Sequence, residues 1–401
     1  MRRLSVSLAL VGLLTLTLVG CSGGSEELKV GAIMDLTGDL GEYGAAMDKG
    51  IKLAADQLVA AGAGTISVTT EDGGTSDTIA VEAARGLVNV TGVSAIIGPL
   101  ASGITAAVAN AVTVPGGILE ITTSGTAPSL TALEDNDLLF RTAPSDAFQG
   151  VVLANLATEL GYKTAGVMYV NNAYGQGLSD QFAASFAANG GTVTALVPHE
   201  SVQATYASEV QRVTANNPDV LVAISYPESA AVYLREAVDS GKAKKFLLTD
   251  GTKSEELISK VGASALEGAQ GTAPSSVDSA SSAQFAADFQ ATYGTGLTGP
   301  FIAESYDAMV LIGLAYVKAG SANPTEIRNA LREVANAPGE IIGAGESEIR
   351  RAIQLIRDGK DINYQGASGP VDFDANGDVA GAMEIWKVES GKTVRVKVIA
   401  E

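Results

Sequence analysis

Ser102 stands in the stretch Gly98-Pro99-Leu100-Ala101-Ser102-Gly103-Ile104-Thr105, between the apolar run SAIIG and the Ala-rich segment AAVANAV. A serine among small residues where a strand turns into a helix can be a nucleophile, a cradle for a phosphate or a carboxylate, or a helix cap. Backbone N–H groups at a helix start, joined by the hydroxyls of Ser102 and Thr105, suit an anionic group. A second loop of small hydroxyl residues, ITTSGTAPSLT at 121–131, follows the next apolar run. In an open parallel sheet both loops line the same carboxyl edge, which favours binding over simple capping, and a carboxylate fits such a cradle.

Catalytic alternatives fail on spacing. Leu100 stands where a nucleophile elbow around Ser102 wants glycine. The SGKT run at 390–393 would need a glycine at position 386, which is Trp386, and strand-like rather than helical sequence follows it. DFDANGD at 372–378 begins like a calcium loop, but position twelve is Met383 and no helical pattern flanks it, so it reads as a solvated Asx turn. GDLGEYG lacks the spacing of a dinucleotide fingerprint. One histidine, His199, and one cysteine exclude the common zinc sets and disfavour a Ser-His-Asp triad. His199 is expected on the surface or in a loop, no metal or cofactor is implied, and no enzyme activity is expected.

The elements that must position these residues alternate almost without interruption. Strand-like runs LKVGAIMD, TISVTTE, SAIIG, GILEIT, TAGVMYV, VTALVP, VLVAIS and KFLLTD are separated by helical segments, the signature of βαβ units and parallel sheets. Met47, Ile51, Ala54 and Leu58 form one helical stripe. The segments GAIMDLTGDLGEYG and GVMYVNNAYGQG resemble one another, each a buried strand running into a glycine-spaced loop with Tyr-Gly before a helix. Two similar lobes follow from that, the second starting near Ser145. From Ser281 consecutive helices lead to an Ala/Gly-rich insertion, NAPGEIIGAGESE, and the chain ends in a hairpin, AMEIWKV and TVRVKVI around ESGK.

With 401 residues, 46% of them hydrophobic and 18% charged, the chain is long enough for two domains. Its net charge of −19 repels nucleic acid and anionic lipid surfaces. The N-terminus has the positive start MRR, the apolar stretch LSVSLALVGLLTLTLV and then LVGC ending at Cys21. This resembles the lipobox of bacterial lipoproteins, and implies cleavage before Cys21 and acylation of that cysteine. The longest other apolar run, AMVLIGLAYV, is too short to span a bilayer and fits a buried helix. With a single cysteine no intramolecular disulfide forms.

The runs FRTAPSDAFQG at 140–150, NNAYGQG at 171–177, AESYDAMVLIGLA at 303–315 and INYQGASGPVDFDANGDV at 362–379 resemble the substrate-binding proteins of branched-chain amino acid ABC transporters, the Leu/Ile/Val-binding type. The resemblance implies an α/β type I periplasmic-binding-protein fold, two doubly wound parallel-sheet lobes joined by a three-crossover hinge that closes on a ligand. The expected crossovers lie near Thr142–Ser145, Gly271–Ser276 and Asp374–Ala382. The expected organisation is a signal peptide over 1–20, a lipidated tether over 21–27, an N-terminal lobe of 28–143 plus 275–378 and a C-terminal lobe of 144–274 plus 379–401.

Carried over from the family, Ser102 matches a carboxylate ligand, with Leu100 and Ala101 beside it. Ser124, Gly125, Thr126 and Pro128 match a loop whose backbone and Thr126 hydroxyl complete the carboxylate and ammonium contacts. Tyr174 and Tyr226 match tyrosines that cover the ligand from the opposite lobe. Asp250 matches the acid that pairs with the α-ammonium, a position where the Leu/Ile/Val-binding proteins carry Glu, and Tyr43 and Tyr306 match aromatic positions of the side-chain pocket. The implied function is extracytoplasmic capture of an amino acid, branched-chain or similarly apolar, and its delivery to an ABC permease and its ATPase, from a protein held to the membrane at Cys21. An amide, urea or small aromatic or organic acid ligand, or a ligand-sensing receptor role, is the alternative.

Overall fold

The computed structural model describes residues 26–401, so the expected signal peptide over 1–20 and Cys21 lie outside the described residues. β1 (Leu28–Met34), β2 (Ile66–Asp72), β3 (Ala95–Ile97), β4 (Leu119–Thr122) and β5 (Leu139–Arg141) form an all-parallel sheet in the order β2-β1-β3-β4-β5. β6 (Thr164–Val170), β7 (Thr192–His199), β8 (Val220–Ile224), β9 (Phe246–Leu248) and β10 (Gln270–Pro274) repeat that pattern in a second sheet, ordered β7-β6-β8-β9-β10. β11 (Glu340–Ile342) and β12 (Ile362–Tyr364) make a small parallel pair. β13 (Ala382–Glu389) and β14 (Lys392–Ala400) are an antiparallel hairpin that extends the second sheet beyond β10. The molecule is therefore an α/β protein of two lobes, each with a doubly wound parallel core.

The strands run apolar over several consecutive residues because helices cover both faces of each sheet: β3, β4 and β8 are buried throughout. The repeated Tyr-Gly has a steric reason. Helix Gly41–Ala61 follows β1 so closely that a Cβ on Gly44 would run into the Asp35 carbonyl, and in helix Ala173–Ala188 one on Gly175 would run into that of Val170. Each lobe thus places a tyrosine, Tyr43 or Tyr174, at the equivalent point where the first helix leaves its sheet.

The chain passes between the sheets after β5, after β10 and before β13. Gly271 lies within β10, so the second crossing starts after Pro274 rather than at Gly271. Helix Ile302–Ala319, which contains AMVLIGLAYV, is buried from Ile302 to Tyr316 and packs on helix Gly41–Ala61, where Gly50 meets the Ile302 carbonyl and Gly313 meets Leu58. Among the described residues no helix is long and apolar enough to cross a membrane.

SGKT is a hairpin turn: Ser390 and Gly391 have φ of 53° and 78°, the left-handed values that a tight two-residue turn needs. In DFDANGD the Asp374 carboxylate accepts from the N–H groups of Asn376 (2.7 Å) and Asp378 (3.0 Å), an Asx turn. His199 departs from expectation. It closes β7 and is buried, with Nε2 2.9 Å from Ser225 Oγ and Nδ1 3.0 Å from the Glu200 carbonyl. Its ring packs among Tyr206 and Tyr233, and burial holds its pKa below the ordinary imidazole range.

Candidate ligand-binding site

In each sheet the strand order reverses beside the first strand, between β1 and β3 in one lobe and between β6 and β8 in the other, and the carboxyl ends of strands beside such a reversal leave a crevice. The crevices face each other. One cleft is lined from the first lobe by Leu40, Tyr43, Met47, Leu100, Ala101, Ser102, Ser124 and Phe301, and from the second by Tyr174, Tyr226, Asp250 and Gly251. All of these except half-buried Ser124 are buried, so the lobes are closed on the cleft.

The hydroxyl wall is braced by its own loops. Ser102 opens helix Ser102–Val108 and its Oγ accepts from the Ala127 N–H at 3.1 Å, while Ser124 Oγ donates to the Leu100 carbonyl at 3.0 Å. Thr122 Oγ1 donates to the Pro99 carbonyl at 3.0 Å and accepts from the Gly125 N–H at the same distance. The β3 and β4 loops thereby hold each other, with Ser102 and Ser124 facing the cleft at the start of a helix, where an anion is favoured.

Opposite them lies the acid. Asp250 follows β9, and its Oδ1 accepts from Gln149 Nε2 at 2.7 Å and from Tyr174 Oη at 2.9 Å. Burial raises its pKa to about 6 against the lowering pull of those two donors. Tyr174 and Tyr226 stack at 5.6 Å with 11° between planes, and Asn172 fixes Tyr226 by a 3.0 Å bond to its hydroxyl. Tyr43 Oη reaches across to the Asp250 carbonyl at 3.4 Å. Leu40, Met47, Leu100 and Phe301 leave the remaining wall apolar.

Of the residues expected here, Ser102, Leu100, Ala101, Ser124, Tyr174, Tyr226, Asp250 and Tyr43 come together around the cleft. Gly125 and Thr126 stand behind it. A Cβ on Gly125 would meet Thr122 and Leu130, and the Thr126 carbonyl accepts from the Asp146 N–H at 2.8 Å and from Arg141 Nη1 at 3.2 Å. Tyr306 is placed away from the cleft. It is fully buried, donates to Gln57 Oε1 at 2.5 Å, accepts from the Gly345 N–H at 2.9 Å and tilts against Phe285. Phe301 supplies an aromatic wall of the cleft from the residue before the same helix, in a left-handed backbone conformation with φ of 66°. Leu40, Met47, Gly251 and Gln149 also escaped sequence reasoning. Only Gln149 carried a signal, lying one helical turn after Asp146 in FRTAPSDAFQG.

A family model described as periplasmic binding protein matches residues 27–392. The chain belongs to the periplasmic binding protein family. This bears out the resemblance at the family level. Among relatives, the chemotactic signal transduction system substrate-binding protein BasB of Halobacterium salinarum is 29% identical over 287 residues. That match covers 70% of this chain and 66% of BasB, just under two thirds of its length. The Leu/Ile/Val-binding protein BraC3 of Rhizobium johnstonii is 26% identical over 377 residues, covering 92% of this chain and 93% of that one. A solved leucine-binding protein, LivK of Thermotoga maritima, superposes with a TM-score of 0.79 at 25% identity, covering 93% of this periplasmic binding protein and 99% of its own chain.

Proposed function

We propose that this periplasmic binding protein captures an amino acid with an apolar side chain between its two lobes and hands it to an ABC permease driven by a separate ATPase, performing no chemistry itself. The observation that carries the reading is the pairing of one buried acid, Asp250, with a braced hydroxyl wall at Ser102 and Ser124 across a cleft whose remaining wall is apolar. A zwitterion's ammonium meets the acid, its carboxylate meets the helix start, and its side chain lies against Leu40, Met47 and Phe301. The Leu/Ile/Val-binding and leucine-binding names of the relatives support an apolar amino acid. In this reading 28–143 with 275–378 and 144–274 with 379–401 are the closing lobes, the three crossings are the hinge, and acylated Cys21 anchors the protein outside the cytoplasm.

Titration calorimetry with L-leucine, L-isoleucine, L-valine, acetamide, urea and benzoate tests it. One of the three amino acids should bind tightly and the amides and benzoate weakly. Preference for benzoate or an amide would overturn the amino acid reading.

A further inference from the structure

Behind the cleft is a group of buried polar side chains, among them a carboxylate that none of the ligand contacts described above uses. Asp146 opens helix Asp146–Glu159, is fully buried, and neither of its carboxylate oxygens has a hydrogen-bond donor among the described residues. Gln149, one turn further on the same face, is also fully buried. Its Nε2 is committed to Asp250 Oδ1 at 2.7 Å and to Thr272, while its Oε1 has no donor. The Thr126 hydroxyl, fully buried in the loop that holds the Asp146 backbone, is a donor beside that carboxylate: it makes no hydrogen bond of normal geometry, but it lowers the Asp146 pKa against the pull of burial. Helix start and strand end thus bring Gln149 against Asp250, the acid that faces the cleft, with the Asp146 carboxylate one turn before it and within reach of its charge.

A bare carboxylate buried without donors is costly, and it must find either a cation or a proton. The cation whose charge acts on Asp146 is Arg141 of β5, but its Nη1 is spent on the Thr126 and Ala127 carbonyls and its Nη2 on Thr131 Oγ1 and Asp378 Oδ2, and its buried Nε–H makes no hydrogen bond among the described residues, to Asp146 included. Phenols face the acids as well: Tyr174 on helix Ala173–Ala188 stands beside both, and Tyr226 beyond β8 and Tyr43 on helix Gly41–Ala61 beside Asp250, all kept protonated by burial. Asp35 and Asp39, after β1, add negative charge on the same side, both acting with Asp250 on Tyr226.

We propose that Asp146 and Asp250 share one proton in the ligand-free protein, and that docking of a primary ammonium expels it to solvent, making Asp146 a selector for aminated over deaminated ligands. The inference rests on the amino acid reading above. Burial, and then the like charge of Asp250, push Asp146 well above the ordinary carboxylate range, while burial takes Asp250 to about 6. The balance closes: the pair with one proton plus R–NH₃⁺ gives two carboxylates on R–NH₃⁺ plus one H⁺ released to buffer. A deaminated carboxylic acid brings no cation, so it leaves the shared proton in place.

Calorimetry of the full chain in detergent with L-leucine, L-isoleucine and L-valine at pH 7, run in phosphate and in Tris, reads the released protons from the difference in buffer ionisation heat. About one proton should be released, and affinity should rise by up to ~10-fold per pH unit between pH 6 and 7. 4-Methylpentanoate should release none. Asp146→Asn keeps the shape and should bring the release towards zero and flatten the pH profile. Amino acid binding in wild type without proton release, or with the same release in Asp146→Asn, overturns the proposal alone. If none of the three amino acids binds at any pH between 6 and 8, the functional reading fails and the proposal with it. Should Asp146→Asn not fold, the two-buffer comparison on wild type decides.

Discussion

Asp250 and Ser102 mark the two ends of a small zwitterion, and their substitutions should separate those ends. Asp250→Ala would leave the α-ammonium of L-leucine buried without its acid, a loss that typically costs ~2–5 kcal/mol, or roughly 30-fold to several thousand-fold in affinity. 4-Methylpentanoate, which has no amino group, should bind wild type weakly and lose little further in that variant, because a double-mutant cycle counts the shared contact once. Ser102→Ala should weaken both ligands by a similar factor. It touches the carboxylate end, and it also frees the Ala127 N–H that it now satisfies. Equal losses of the two ligands on Asp250→Ala, measured by calorimetry, would mean that Asp250 does not read an ammonium. Asp250 and Ser102 are legible in the sequence because both stand in the loop just after an apolar strand, and the loops at strand ends in a doubly wound sheet have a known address. Tyr306 and Phe301 could not be told apart that way. Both are aromatic, five residues apart, at the start of one helix. Only the packing of Tyr306 against Gln57 and Gly345 withdraws it from the cleft.

At the scale of elements, the loop after β1 does more than lead into its helix. Asp39 is buried and accepts across the cleft from the Ser229 N–H at 3.0 Å, Ser229 Oγ at 2.7 Å and Ser201 Oγ at 2.6 Å. Ser229 lies in the first turn of helix Pro227–Asp239, so an acid from one lobe satisfies a helix start on the other. Glu42 does the same at the neighbouring helix Glu255–Val261, accepting from its cap Ser254 at 2.7 and 2.6 Å. These bonds exist only while the lobes are together, so they favour the closed form whatever the ligand. Asp39→Ala should weaken every ligand by a common factor, about 10-fold to 100-fold for bonds to a charged group, and leave the ratio between leucine and valine unchanged. Calorimetry with both amino acids checks it, and a change in their ratio would place Asp39 in recognition instead. Strand and helix alternation was readable from period and apolar runs, and so was the matching Tyr-Gly of the two lobes. β5 and β10 were not, since each is short and carries ordinary loop residues such as Arg141 or Gln270-Gly271-Thr272. Their strand character comes from the neighbours that pair with them, β4 on one side and β9 with β13 on the other.

The whole molecule carries an excess of acid, and part of it is buried. Burial raises Asp35, Asp250 and Asp307 to about 6 and Glu304 to about 7, and lifts Glu120 and Asp146 well above the ordinary range. In the unfolded chain these carboxyls titrate near 4, so between about pH 4 and pH 7 the folded protein binds more protons than the unfolded one. Stability from this source is fully present below the unfolded values and is lost as pH rises through the folded ones. Lower pH also relieves the self-repulsion of a chain with net charge −19. The ligand-free protein should therefore melt higher at pH 5 than at pH 8. In a chain of this size, even ~1–2 kcal/mol of net linkage moves the midpoint by a few degrees. Amino acid binding should act in the opposite sense, since the ammonium binds the deprotonated pair: the rise in melting midpoint caused by saturating L-leucine should be larger at pH 8 than at pH 5. Differential scanning calorimetry across that range tests both slopes together. A ligand-free midpoint that falls on acidification from pH 8 to pH 5 would show that the buried carboxyls are already ionised and paired in the folded protein, and that the acid of the cleft needs no proton to be buried.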